Sequence, residues 1–192
     1  MKLFGRKKNQ KINTLKYYYD DPKVGLSPES SHPNFVKLAT DGFFYSAGDD
    51  FSPFGNDDGN DGLRMLEDWF KLGGRPHGVI RFLRDTIASW GLGVPQNLDR
   101  KTIKGMNTWL KKDQMNNRYL ASDCRLRVAV ALGQLKICGI IDVPVLHEAK
   151  TGIKWLEFLN VQSREEFPDW EYADLEASRI SLMKAVLNSY KH

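Results

Sequence analysis

The sequence predicts an all-α fold, a single irregular helical bundle of about six to eight helices with an extended basic N-terminal arm. Apolar residues recur at spacings of three and four along most of the chain. No run alternates apolar and polar residues over a strand's length, and no period of 20 to 50 residues repeats. At 192 residues, 41% hydrophobic and 27% charged, the chain is long enough to bury one sizeable core.

The elements follow in order. Residues 1–25 hold seven basic side chains against two acidic ones, +5, whereas the remainder holds 21 against 22, −1. The basicity therefore belongs to a flexible arm over 1–25 and the domain proper, 26–192, is nearly neutral, which argues against a basic nucleic-acid-binding surface. Lys11 to Tyr19, with its three tyrosines, offers an alternative in which the arm folds back on the domain. Ser31-His32-Pro33 reads as a cap and first turn of a short helix reaching about Leu38. His32 is a capping or turn residue, because no second histidine or cysteine lies at ligand spacing.

Asp61 to Leu72 reads as an amphipathic helix through Leu63, Leu66 and Phe70, closed by Gly73-Gly74. Pro76 opens another, with Ile80, Leu83, Ile87 and Trp90 on one face until Gly91. Asp99 can cap a helix carrying Ile103, Met106 and Leu110, whose trailing Lys111-Lys112 suit the helix dipole. The longest helix is expected from near Asp113 to Gly139. Its Val128-Ala-Val-Ala-Leu132 centre is apolar on several sides, the pattern of a strut buried by its neighbours. On such a helix Cys124 and Cys138 stand roughly 21 Å apart, too far for a disulfide, so both are free thiols. Asp142-Val-Pro144 opens a helix through Leu146, Ala149, Ile153 and Leu156, with Gly152 as its weak point. Ser163 and Glu166 have capping-box spacing before Pro168. A last helix from Asp169 or Asp174 carries Ile180, Met183, Leu187 and Tyr190.

The chemistry-bearing stretch is Asp49-Asp50-Phe51-Ser-Pro-Phe54-Gly-Asn-Asp57-Asp58-Gly-Asn-Asp61. Pro53 fixes the backbone so that Phe51 and Phe54 neighbour one another on a turn, and the aspartates suit the start of a helix. Alternating Asp and Asn also suggest a calcium loop, but starting at Asn56 puts Asp61 where glycine is needed. Starting at Asp57 leaves Gly59 at the third position and Asp68 at the twelfth. From Asp49 to Asp68 seven acidic residues face Arg64 alone, while Asp99 to Arg127 carries eight basic and three acidic ones. The two regions either pair with each other or form separate patches. No nucleophile elbow, phosphate loop, His-Glu-x-x-His or Cys-x-x-Cys occurs. No run is long and apolar enough to span a bilayer and no signal-like segment follows the N-terminus, so a cytoplasmic protein is expected.

Ser27-Pro-Glu-Ser-Ser-His32-Pro33, Phe43-Phe-Tyr45, Asp50-Phe-Ser-Pro-Phe-Gly-Asn-Asp57-Asp58-Gly and Asp113-Gln-Met-Asn-Asn-Arg-Tyr119-Leu together resemble the YfeS-like uncharacterised bacterial proteins. The Phe-Gly-Asn-Asp-Asp piece is also similar to a family of unknown function met near polymorphic toxin genes. Some YfeS-like proteins carry an appended Trp-Gly-Arg domain; Trp90-Gly91-Leu92 is not that motif. The resemblance implies a helical bacterial protein and transfers no catalytic residue. The expectation is a non-catalytic protein-binding protein with no cofactor, of immunity or antitoxin type, contacting a toxin or effector through Asp49, Asp50, Phe51, Phe54, Asp57, Asp58 and Asp61. Two other readings stand beside it: a metal-dependent hydrolase using the Asp49 to Asp61 carboxylates, and a nucleic-acid-binding accessory protein using the arm and the Asp99 to Arg127 basics.

Overall fold

The bundle is organised around its fifth helix. The computed structural model describes residues 16–191. Within them run α1 (Pro33–Leu38), α2 (Asp57–Lys71), α3 (Val79–Trp90), α4 (Ile103–Leu110), α5 (Asn116–Cys138), α6 (Val143–Glu166) and α7 (Ala173–Ser189). Short 3-10 turns lie at Gly42–Tyr45, Pro76–Gly78 and Leu98–Arg100. The fold is all-α: the described residues contain no strand, only an isolated bridge between Asp21 and Gly25.

Every residue from Val128 to Cys138 is buried. A helix that is apolar all round needs neighbours on all sides, and α5 has them. α2 and α6 lie along it, α1 and α3 cover the remaining faces, and α7 packs on α6. Gly152, read from the sequence as a weak point of α6, is a packing device: a Cβ there would sit 2.8 Å from the Cys124 carbonyl oxygen of α5. Gly62 does the same for α2, where a Cβ would lie 2.8 Å from Cδ1 of Leu126. Both cysteines of α5 are buried free thiols.

The two polar side chains at the centre of α5 are fully used, as buried polar groups must be. The Gln134 amide donates to the Pro76 carbonyl at 3.1 Å and accepts from the Asp142 N–H at 3.1 Å. Lys136 is 0% exposed, with Nζ 2.8 Å from Asp20 Oδ1, 3.3 Å from Glu67 Oε1 and 3.4 Å from the Ser30 carbonyl. The last-turn carbonyls of α5, which a helix leaves without internal partners, are taken by the beginning of the chain. The Tyr18 N–H donates to Ile137 and the His32 N–H to Lys136, at 2.9 and 2.8 Å, and the Asn34 amide donates to Gly139 at 2.9 Å. Tyr17 packs its ring 5.0 Å from that of Phe70. The final part of the arm, from Lys16 onward, is thus seated on the domain; residues 1–15 lie outside the described residues.

Several helix ends differ from the sequence expectation for local reasons. α2 starts one turn earlier than Asp61, because the Asn56 side chain accepts from the Gly59 N–H at 2.8 Å and caps it. Asp57, Asp58 and Asp61 are therefore helix residues, and the twelve-residue calcium loop does not form. Thr102 caps α4 by accepting from Gly105 at 3.1 Å, and Asp99 sits in the preceding 3-10 turn. α5 begins at Asn116; Asp113 closes the turn before it by accepting from Met115 at 2.8 Å. Ser163 and Glu166 lie in the last turn of α6, so they make no capping box. His32 does cap α1, its Nδ1 accepting from the Asn34 N–H at 3.1 Å. Among the described residues no helix is long and apolar enough to cross a membrane.

Candidate functional site

The turn around Pro53 sends its two phenylalanines in different directions. Phe54 is 1% exposed, its ring 6.2 Å from Phe35 in the core. It is withdrawn from any contact surface, contrary to the sequence expectation, because a ring on the inward side of this turn gains more by burial than it would exposed. Phe51 stays half-exposed, with its ring 6.5 Å from that of Tyr172. The turn that separates them is built from local bonds. Asp49 accepts from the Phe51 N–H at 3.0 Å, the Ser52 hydroxyl donates to the Ser46 carbonyl at 2.8 Å, and the Asn56 amide donates to the Ser52 carbonyl at 2.8 Å.

The five aspartates divide into two groups. Asp49 lies 3.0 Å from Arg179 Nε, and Asp58 lies 3.7 Å from Arg125, whose other terminal nitrogen is 3.9 Å from Glu176. The Arg179 guanidinium also stacks over Phe43, 4.7 Å from its centroid. These arginines, from α7 and α5, fasten the acidic turn to the bundle. The Arg125 to Asp58 pair also answers how the acidic and basic regions relate: they touch at that point. Asp50, Asp57 and Asp61 are exposed and form no ion pair among the described residues. Asp57 and Asp58 occupy the first turn of α2, where the helix dipole favours negative charge.

The fold brings a second acidic segment to this corner. Residues 165–176 hold Glu165, Glu166, Asp169, Glu171, Asp174 and Glu176 with no basic residue between them. Phe167 is 58% exposed, Tyr172 51% and Leu175 40%, all large apolar groups left in solvent. Glu171 accepts the Tyr172 hydroxyl's hydrogen bond and, with its charge, raises the phenol's pKa above the ordinary value. The Phe51 to Tyr172 contact joins the segments into one surface of carboxylates interleaved with rings. Beneath it lies a cavity of only about 20 Å³, bordered by Phe51, Arg125, Glu176 and Ile180. That is room for one water rather than an organic ligand; a shallow, open hollow of about 550 Å³ lies along the second segment, between Glu166, Phe167, Asp169 and Trp170. Sequence reasoning treated 163–168 as a chain break and missed this half. The run of six acids with rings at 167, 170 and 172 was the available signal.

Over 143 residues the chain is 42% identical to the uncharacterized protein YfeS of Escherichia coli strain K12, a stretch covering 72% of this chain and 55% of that protein. The likeness to the YfeS-like proteins is thereby shown, for a chain that spans little more than half the length of this relative. No family model matches the chain, and no solved structure matches it.

Proposed function

We propose, from the premise of a YfeS-like helical chain, that this is a non-catalytic cytoplasmic protein that binds another protein through its anionic aromatic corner. The observation that carries the reading is the Phe51 to Tyr172 contact, which unites two acidic segments around the exposed ring of Tyr172 and the partly buried ring of Phe51. The complementary partner has a basic surface with an apolar hollow: rings supply the buried anchors of an interface, and carboxylates without internal partners speed encounter with positive charge. The similarity of the Phe-Gly-Asn-Asp-Asp piece to toxin-neighbour proteins supports a partner of the bacterial toxin or effector class, neutralised by occlusion.

The test is co-expression with each protein encoded beside the gene, followed by co-elution and surface-plasmon kinetics of any complex. Asp50→Asn, Asp57→Asn and Asp61→Asn combined are expected to slow association and flatten its salt dependence, with dissociation nearly unchanged. Tyr172→Ala is expected to accelerate dissociation, costing about 2 kcal/mol or more as an anchor. A complex indifferent to both changes would refute the assignment of the corner.

A further inference from the structure

A cleft of about 640 Å³ opens between α3, the loop after it, α5 and α6, and shares no residue with the corner. Its size is that of a small-molecule site. Arg127 forms its floor. Nε and Nη2 bond the two oxygens of Asp123, which is 1% exposed, and Nη1 bonds Glu148 Oε2. Burial works against the charge of Arg127, but the Asp123 and Glu148 carboxylates overcome it and raise the guanidinium pKa, so the arginine stays cationic.

The remaining charges decide what the cleft can hold. Asp99, Asp123 and Glu148 face Arg84 and Arg127 in the lining, and Arg100, just outside it, lies 3.8 Å from Asp99, so carboxylates and guanidinium groups balance. At Arg127, whose Nε, Nη1 and Nη2 are all engaged, an anion would have to displace two carboxylates, and the cation left open to it is the exposed Arg84. Glu148 is held by Arg127 through Oε2, but its Oε1 accepts no hydrogen bond among the described residues: Nη2 of Arg84 is 3.9 Å away, beyond hydrogen-bond reach, on a side chain that is 67% exposed. Asp99 likewise has His147 at 3.7 Å and Arg100 at 3.8 Å, neither within bonding distance. Both Asp123 oxygens are spent on Arg127, so the donor set is too sparse for a hard divalent ion. The rest of the lining is mixed: Ile87, Leu92, Val94 and Leu98 supply aliphatic surface, and Gln96 and Asn97 supply amides.

We infer that this cleft binds a small aliphatic cation, an alkylamine or alkylguanidine, with its charged head on Glu148 Oε1 and its chain against Leu92, Val94 and Leu98. The head donates charge-assisted hydrogen bonds to a carboxylate oxygen that accepts none from the protein. The binding is independent of the corner.

The test is titration calorimetry on the full chain, with spermidine and agmatine as probes. Saturable one-site binding of at least one probe is expected. Glu148→Gln should weaken it about tenfold or more, the loss of one charge-assisted bond. Ala88→Trp should abolish it: position 88 is an exposed helix residue on the cleft wall, so the indole fills the space while every charge stays. The Asp50→Asn, Asp57→Asn, Asp61→Asn protein should bind like wild type, which separates the cleft from general attraction of polyamines to the corner. Circular dichroism verifies the fold of each variant. No heat at millimolar probe, either cleft variant binding like wild type, or tighter binding of inorganic phosphate or succinate than of both cations would overturn the inference.

Discussion

Lys136→Met is the substitution whose effect the structure specifies most closely. The ammonium is wholly buried, 2.8 Å from Asp20 Oδ1 and 3.3 Å from Glu67 Oε1. At an effective dielectric constant near 20 these distances give gross attractions of roughly 6 and 5 kcal/mol. Desolvating the ammonium and the carboxylates costs several kcal/mol per ion, which offsets much of that. Methionine fills most of the volume but leaves the Glu67 carboxylate, 8% exposed, beside that of Asp20 with only the half-exposed Lys71, 3.5 Å from Oε2, as a cation. The expected loss is about 3–5 kcal/mol, the cost of removing one partner from a buried pair. For a chain of this size that is a fall in Tm of roughly 6–20 °C. Urea denaturation followed by circular dichroism measures it. Glu67→Gln added to Lys136→Met should restore part of the loss, with a coupling energy of about 1 kcal/mol or more. A loss below about 1 kcal/mol, or strictly additive effects, would refute the network as a stabilising element.

Four further outcomes are expected. Gly152→Ala, which presses a methyl group against the Cys124 carbonyl, should destabilise by about 1–3 kcal/mol in urea melts. Gly133→Ala, whose new neighbours at 3.1 and 3.3 Å are the mobile ends of Leu66 and Leu63, should be nearly neutral as gained helix propensity offsets the crowding. Phe54→Ala should cost about 3–5 kcal/mol as a core deletion, whereas Phe51→Ala should cost about 1 kcal/mol or less, a contrast readable in one pair of thermal melts. Burial lowers the His32 pKa below 6.5, so the unfolded chain takes up a proton before the folded one does. Stability should therefore be level above pH 6.5 and decline as the pH falls below it, and His32→Asn, which keeps a capping acceptor, should remove that part of the decline in melts run from pH 7.5 to 5.5.

The helices were legible because each carries its own apolar period and its own punctuation. α3 and α5 ended where a left-handed glycine said they would, at Gly91 and Gly139, and α1 opened at the proline that follows its His32 cap. The errors fall where a residue's role is set by something distant in sequence. Gly59 and Gly62 look like loop residues in isolation, and only the approach of Leu126 explains why Gly62 is right inside a helix. Phe51 and Phe54 are equivalent on paper; which one turns inward is decided by Phe35 and the rest of the core. Arg127 and Asp123 stand four apart on one helix and could have been paired from spacing, but Glu148, 21 positions on, could not. The acidic half of the corner at 165–176 was visible as composition, yet nothing local tied it to Phe51.

The way α5 terminates bears on the order in which this chain can mature. The hydrogen-bond donors for its closing carbonyls and the carboxylate for its interior ammonium come from Tyr18, Asp20, His32 and Asn34, all made more than a hundred residues before the groups they satisfy. During synthesis at about 5–20 residues per second the leading segment waits on the order of ten seconds for its acceptor. Until then the rod's last turn has polar groups to satisfy and no protein partner for them. The opening residues consequently behave as a latch closed late, and a nascent chain stalled before Gly139 would present that latch, unfastened, to chaperones and proteases.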